Sequence, residues 1–183
     1  MLERAFYSAT INDFFSESTN SILAKIVRNN PYDLNDLQRD AWIKEIDILK
    51  KNLWGINIGR VILEYNIPRM GKRIDCILLC KGIVFILEFK VGATVYRKST
   101  DDQVMDYALD LKNFQKSCQD KIIIPISIST EAPPSKCHVL LYEDGVAKPV
   151  RTNADGLASV INEVSVKYQR NDFDYHEWEH SDY

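Results

Sequence analysis

The chain has 183 residues, 45% apolar and 27% charged, which is enough for one domain with a sizeable core and an ordinary globular composition. No apolar run approaches the roughly 20 residues of a membrane span, and the opening MLERAFYSATINDFF sets Glu3 beside Arg4 with no continuous apolar stretch, so no secretory signal is expected. The net charge of −3 averages two unlike parts: residues 171–183 hold five acids and no Lys or Arg, while residues 1–170 carry 23 basic and 21 acidic residues, a balance that admits nucleic acid without arguing for it.

Taken in chain order, residues 1–33 read as a helical N-terminal extension of short pieces, with Asn12-Asp13 and Ser18-Thr19 as caps and Asn29-Asn30-Pro31 as its end. A strong helix is predicted over 34–53. Strands follow at RVILEYNI (60–67), RIDCILL (73–79), IVFILEFK (83–90) and KIIIPISIS (121–129), with a shorter one at CHVLLY (137–142). A helix over 101–115 separates the third and fourth strands, and another covers 153–168. The order predicts an α/β sandwich with a mixed sheet, one domain over 1–170, followed by an acidic tail or linker over 171–183. Cys76, Cys80, Cys118 and Cys137 show no CxxC pairing; Cys76 and Cys80, on one face of a strand, are expected as small buried thiols, and a reducing, cytoplasmic setting is the expectation.

The stretch RIDCILLCKGIVFILEFK, residues 73–90, breaks its own pattern. Two apolar strands around Lys81-Gly82 contain Asp75, Glu88 and Lys90, and a charge among core-facing residues costs several kcal/mol unless paired or bound to a metal. Residues two apart share a strand face, so Glu88 and Lys90 point the same way as Val84 and Ile86, while Asp75 goes with Ile77 and Leu79. The tight turn makes these strands a hairpin with Asp75 and Glu88 side by side. Two carboxylates there repel each other, and a divalent cation with oxygen ligands, Mg²⁺ or Mn²⁺, removes the conflict. The plainer alternative is an ion pair with Lys90 at a partly exposed strand end.

The helix at 34–53 bears on that choice. At 100° per residue, Ala41, Trp42, Ile46, Ile48, Leu49 and Leu53 form an apolar arc with Ile43 at its edge, while Lys44, Asp47, Lys50 and Lys51 lie opposite. Glu45 and Gln38 fall inside the arc, and a carboxylate facing the sheet needs a partner. In the second helix Gln103 and Tyr107, four apart, align with Leu111 and Phe114 as a buried stripe. His176 and His180 have helical metal-ligand spacing but lie in the acidic tail, where zinc is not expected.

Glu45, Asp75, Glu88-Phe89-Lys90 and Gln103-Val104-Met105-Asp106-Tyr107, in this order on these elements, resemble the PD-(D/E)XK nuclease superfamily, in its RecB-like branch. Over residues 34–130 the resemblance implies a restriction-endonuclease-like α-β-β-β-α-β core, a mixed sheet flanked by helices. It implies a metal-dependent nuclease acting on DNA, with RNA as a further candidate. Asp75, Glu88 and the Phe89 carbonyl would hold Mg²⁺ or Mn²⁺, with Glu45 completing the shell, possibly through water; Glu64 in EYNIP competes for that role. Lys90 would orient and activate the attacking water, and Gln103 and Tyr107 would brace the site. IPRMGKRID, LEFKVG, DQVMDYALDLKNF and TEAPP look like nuclease-like domains that precede a helicase-type ATPase in bacterial proteins. An ATP-dependent helicase domain in the same full-length protein is therefore the implied partner, although no glycine-rich loop with Gly-Lys-Ser/Thr occurs here. Arg69, Lys72 and Arg73 beside the site, with Arg97 and Lys98 beyond the third strand, are the expected phosphate contacts. A non-catalytic module that keeps the fold to bind nucleic acid or dock a partner is the alternative.

Overall fold

A computed structural model describes residues 4–68, 70–136 and 138–183. It is an α/β structure built on one six-stranded mixed sheet, in the order β1-β2-β3-β4-β5-β6: Ala5–Thr10, Arg60–Ile67, Lys72–Cys80, Ile83–Lys90, Ile122–Ser129 and Val150–Thr152. The pairs β1–β2, β2–β3 and β3–β4 are antiparallel, and the pairs β4–β5 and β5–β6 are parallel. Helices α1 (Ile11–Ser16), α2 (Thr19–Asn29), α3 (Asp36–Asn52) and α5 (Leu157–Tyr168) cover one face; α4 (Lys98–Phe114) and α6 (Tyr175–His180) cover the other. No helix among the described residues is long and apolar enough to cross a membrane.

Local chemistry sets the elements that carry the site. Asn35 caps α3 by accepting the Gln38 N–H, and Lys50 and Lys51 sit in its last turn, where cations favour the helix dipole. Trp42, Ile46, Leu49 and Leu53 are buried against the sheet, as the periodicity predicts. The β3–β4 hairpin closes in two residues, Lys81 (φ 55°) and Gly82 (φ 70°), the double left-handed turn whose twist suits a tight hairpin. Pro125, with no N–H to give, falls on β5 between the Ile123–Val146 bridge and the Ile126–Val150 pair, where β6 makes no demand on it.

Several expectations are corrected. The N-terminal extension is not wholly helical: it begins with β1, an edge strand paired to β2 from Ala5–Tyr65 to Thr10–Arg60. CHVLLY forms no strand over its described residues 138–142, which carry a single bridge, Leu141 to Ala147; residues 140–148 turn back on themselves through Tyr142 N–H to Val146 O and Lys148 N–H to Leu140 O. Cys137 lies outside the described residues. Phe114 is exposed instead of buried, because the sheet-facing stripe of α4 is Val104, Tyr107, Ala108 and Leu111. The acidic segment 171–183 packs back onto the sheet, with Trp178 buried beside Tyr65.

Candidate functional site

The β3–β4 ladder runs from Cys80–Ile83 to Cys76–Leu87 and stops there. The next residues along the strands are Asp75 and Glu88, so both sit in the fork where the strands part. Asp75 Oδ2 accepts the Phe89 N–H at 2.7 Å, and a carboxylate thus replaces the backbone acceptor that β3 no longer offers. Asp75 does not keep the place on the α4 face, beside Ile77 and Leu79, that strict alternation predicts. Ile74, Ile77 and Leu79 all join the core beneath α4, so the alternation slips by one residue at Asp75.

The facing strand slips at the same level. Glu64 has φ 54°, in the left-handed region that a side chain rarely enters, yet the register is kept on both sides of it: Leu63 pairs with Cys76 and Tyr65 with Ile74. Leu63 packs with the α3 core, whereas Ile62 and Tyr65 both pack with the α4 core. The inversion turns Glu64 towards α3. There its Oε1 accepts Trp42 Nε1–H at 3.0 Å and its Oε2 accepts Arg73 Nε–H at 2.8 Å. No residue type in EYNIP signals a left-handed glutamate, so its partners were not legible from the sequence.

These distortions bring four carboxylates from four elements to one cleft of about 670 Å³: Glu45 of α3, Glu64 of β2, Asp75 of β3 and Glu88 of β4. Phe89, Lys90, Gln103 and Tyr107 line the same cleft, as do Lys72, Arg73 and, unanticipated, Tyr32, Trp42 and Asn66. Lys90 Nζ donates to Glu88 Oε1 at 2.8 Å and to Gln103 Oε1 at 3.2 Å, and Gln103 Nε2 donates to the Tyr107 hydroxyl at 2.7 Å. A chain of hydrogen bonds therefore runs from a buried tyrosine to the ammonium and fixes it over the fork. The other predicted cations do not join: Lys98 pairs with Asp102 on the surface of α4, and neither it nor Arg97 lines the cleft. Arg69 lies outside the described residues.

The electrostatics are those of crowded acids. Burial, reinforced by the charges of Asp75, Glu64 and Glu88, holds the Glu45 carboxyl well above the usual carboxylate range. Asp75 is pushed well up by burial and then by Glu88 and Glu64, against the opposing pull of the Phe89 N–H and Lys90. Glu88 and Glu64 are raised by burial too, with Lys90 opposing at the first, and Trp42 and Arg73 at the second.

The donor set can be tested for a cation. Glu88 is 3% exposed, and while Oε1 takes Lys90, its buried Oε2 has no hydrogen-bond partner. An orphaned carboxylate oxygen among other acids is what a hard divalent ion would satisfy, and all-oxygen donors suit Mg²⁺ or Mn²⁺. Among the described residues no three such side chains already converge as a coordination group. Asp75 Oδ2 is engaged by the Phe89 N–H and Glu88 Oε1 by Lys90, while the two carboxyls remain close enough to interact directly. The residues fit a metal held between Asp75 and Glu88.

Compared with family models, curated proteins and solved structures, the chain matches none.

Proposed function

We propose that this cleft is the active site of a metal-dependent nuclease hydrolysing phosphodiester bonds in DNA, on a restriction-endonuclease-like core formed by α3, β2, β3, β4, α4 and β5. The observation that carries the reading is the fork itself. Asp75 and Glu88 flank the end of one ladder, the buried Glu88 Oε2 has no partner, and a braced lysine stands 2.8 Å from the same carboxylate. A cation held by Asp75, Glu88 and the Phe89 carbonyl would supply charge neutralisation at the phosphate and a more acidic water. Glu64 is engaged by Trp42 and Arg73, which leaves Glu45 as the accessory acid at the metal shell.

Lys90 orients the attacking water and offsets negative charge as it develops on the phosphate. Gln103 and Tyr107 hold that ammonium in place. Lys72 and Arg73 on the rim grip neighbouring phosphates. Following the resemblance of IPRMGKRID and DQVMDYALDLKNF, the nuclease serves an ATP-dependent helicase domain of the same full-length protein, in the cytoplasm.

The test is cleavage of end-labelled linear DNA, circular DNA and a matched RNA with Mg²⁺ or Mn²⁺. The expected result is cleavage of DNA that falls at least a hundredfold in Glu88→Gln and in Lys90→Ala, both shown to be folded. Binding of DNA without cleavage under any of these conditions would favour the non-catalytic module instead.

A further inference from the structure

Tyr32 lines the rim of the cleft although 67% of its surface is in solvent. Its ring is not loose. The Tyr32 N–H donates to Asn30 Oδ1 at 3.2 Å and Asn30 Nδ2 donates to the Tyr32 carbonyl at 3.1 Å, so a closed local turn fixes the backbone that presents it. The ring covers the Arg73 guanidinium, whose Cζ lies 5.3 Å from its centroid, and the Phe6 ring packs on the same guanidinium at 4.9 Å. Glu64 then holds Arg73 through Nε at 2.8 Å. Arg73 is thus positioned by two aromatic rings and a buried acid, and it points a fixed cation along the rim. Arg73 lies over the Tyr32 ring, and most of the residue's surface is still left to solvent.

An ordered, largely exposed aromatic beside a fixed guanidinium, at the edge of a phosphate-cleaving cleft, has a specific use. A base that has left its duplex stacks can lie on such a ring, while its own phosphate meets the cation. A paired base in a duplex is already stacked on both sides and offers no face.

We propose that Tyr32 is a stacking platform for an unpaired nucleobase whose phosphate is gripped by Arg73, so that the cleft takes a single-stranded segment or a frayed end in preference to intact duplex. The inference rests on the nuclease reading of the cleft and adds to it the form of the substrate and a residue that selects it.

The experiment compares binding of three probes by fluorescence anisotropy, under conditions where gels show the strands intact. The probes are a short oligothymidylate, an abasic strand of the same length and charge, and a duplex. The proteins are the wild type, Tyr32→Ala and Tyr32→Phe. Stacking predicts that Tyr32→Ala weakens oligothymidylate binding by roughly tenfold, leaves the abasic strand nearly unchanged, and is rescued by Tyr32→Phe. Equal loss on both single strands would reduce Tyr32 to a support for Arg73 and overturn the proposal, as would no loss on either. Wild-type protein that binds none of the probes would overturn the nuclease reading together with this inference. Wild-type protein that binds them, without a base-dependent effect of Tyr32, would overturn the inference alone.

Discussion

Asp75 accepts the Phe89 N–H, which favours its charged form, while burial and the nearby charges of Glu88 and Glu64 favour the neutral one and outweigh it. Glu45 and Glu88 lean the same way. The sign of the consequence follows directly. Carboxyls whose folded pKa lies above the unfolded value keep protons in the folded state that the unfolded chain has released. Stability is therefore highest at the low end of that window and falls as pH rises from the ordinary carboxylate range through the raised values, by about 1.4 kcal/mol per pH unit for each proton retained. In chelator, the thermal midpoint of the wild type is expected to drop as pH rises from the ordinary carboxylate range through the raised values. Asp75→Asn removes one of the repelling charges, so it should flatten that slope and be the more stable protein at the upper end. Added Mg²⁺ should restore the wild type at high pH and do little for the variant. Parallel pH profiles for the two proteins would mean that the crowded acids are not what limits stability there.

The β3–β4 hairpin is the element that holds the fork open, and its turn also anchors the C-terminal segment. The Lys81 carbonyl accepts the Arg170 N–H at 2.9 Å, and the Gly82 N–H donates to Asp172 Oδ1 at 2.9 Å. A Cβ at Gly82 would stand 2.6 Å from the Asn171 carbonyl oxygen and 2.7 Å from that of Arg170, with φ at 70°. Gly82→Ala is expected to cost about 1–2 kcal/mol for the left-handed backbone alone. It should also push residues 170–172 off the turn, which limited proteolysis near Arg170 would register as faster cutting. Lys81→Asn, at the other left-handed position, should be neutral or mildly stabilising in the same assay. This hairpin was legible in the sequence because a continuous apolar strand, a Lys-Gly turn and three misplaced charges are all local signals. β1 was not: AFYSAT suits a short helix as well as a strand, and only its pairing with β2, some fifty residues away, decides the matter. β6 is three residues long and carries no period to read. At the site, the residue types of Asp75, Glu88 and Lys90 revealed them, whereas the grip of Glu64 on Arg73 depends on a backbone inversion that no residue announces.

Across the whole molecule, the acidic segment 171–183 shows what a count of charges conceals. Its acids face outward or find partners: Glu179 accepts from Arg60 Nε at 2.8 Å and from the Ser8 hydroxyl at 2.7 Å. Between them Phe173, Tyr175, Trp178 and Tyr183 pack against the sheet face beside α4. Trp178 is 1% exposed, 6.1 Å from the Tyr65 ring, and its carbonyl takes the Gln115 Nε2–H at 3.0 Å. Tyr65 in turn donates to Gln115 Oε1 at 3.0 Å and adjoins the inverted Glu64 on β2, so the segment supports the strand that orients part of the cleft. Trp178→Ala should therefore destabilise the protein by about 3–5 kcal/mol, as removal of a large buried aromatic does. Glu177→Ala, one residue earlier on the exposed side of α6, should stay within about 0.5 kcal/mol of the wild type. Denaturant unfolding of the two variants separates the cases, because a segment that merely trailed from the domain would make both substitutions silent. A large loss confined to Trp178 would place α6 within the cooperative unit that carries β2 and the fork.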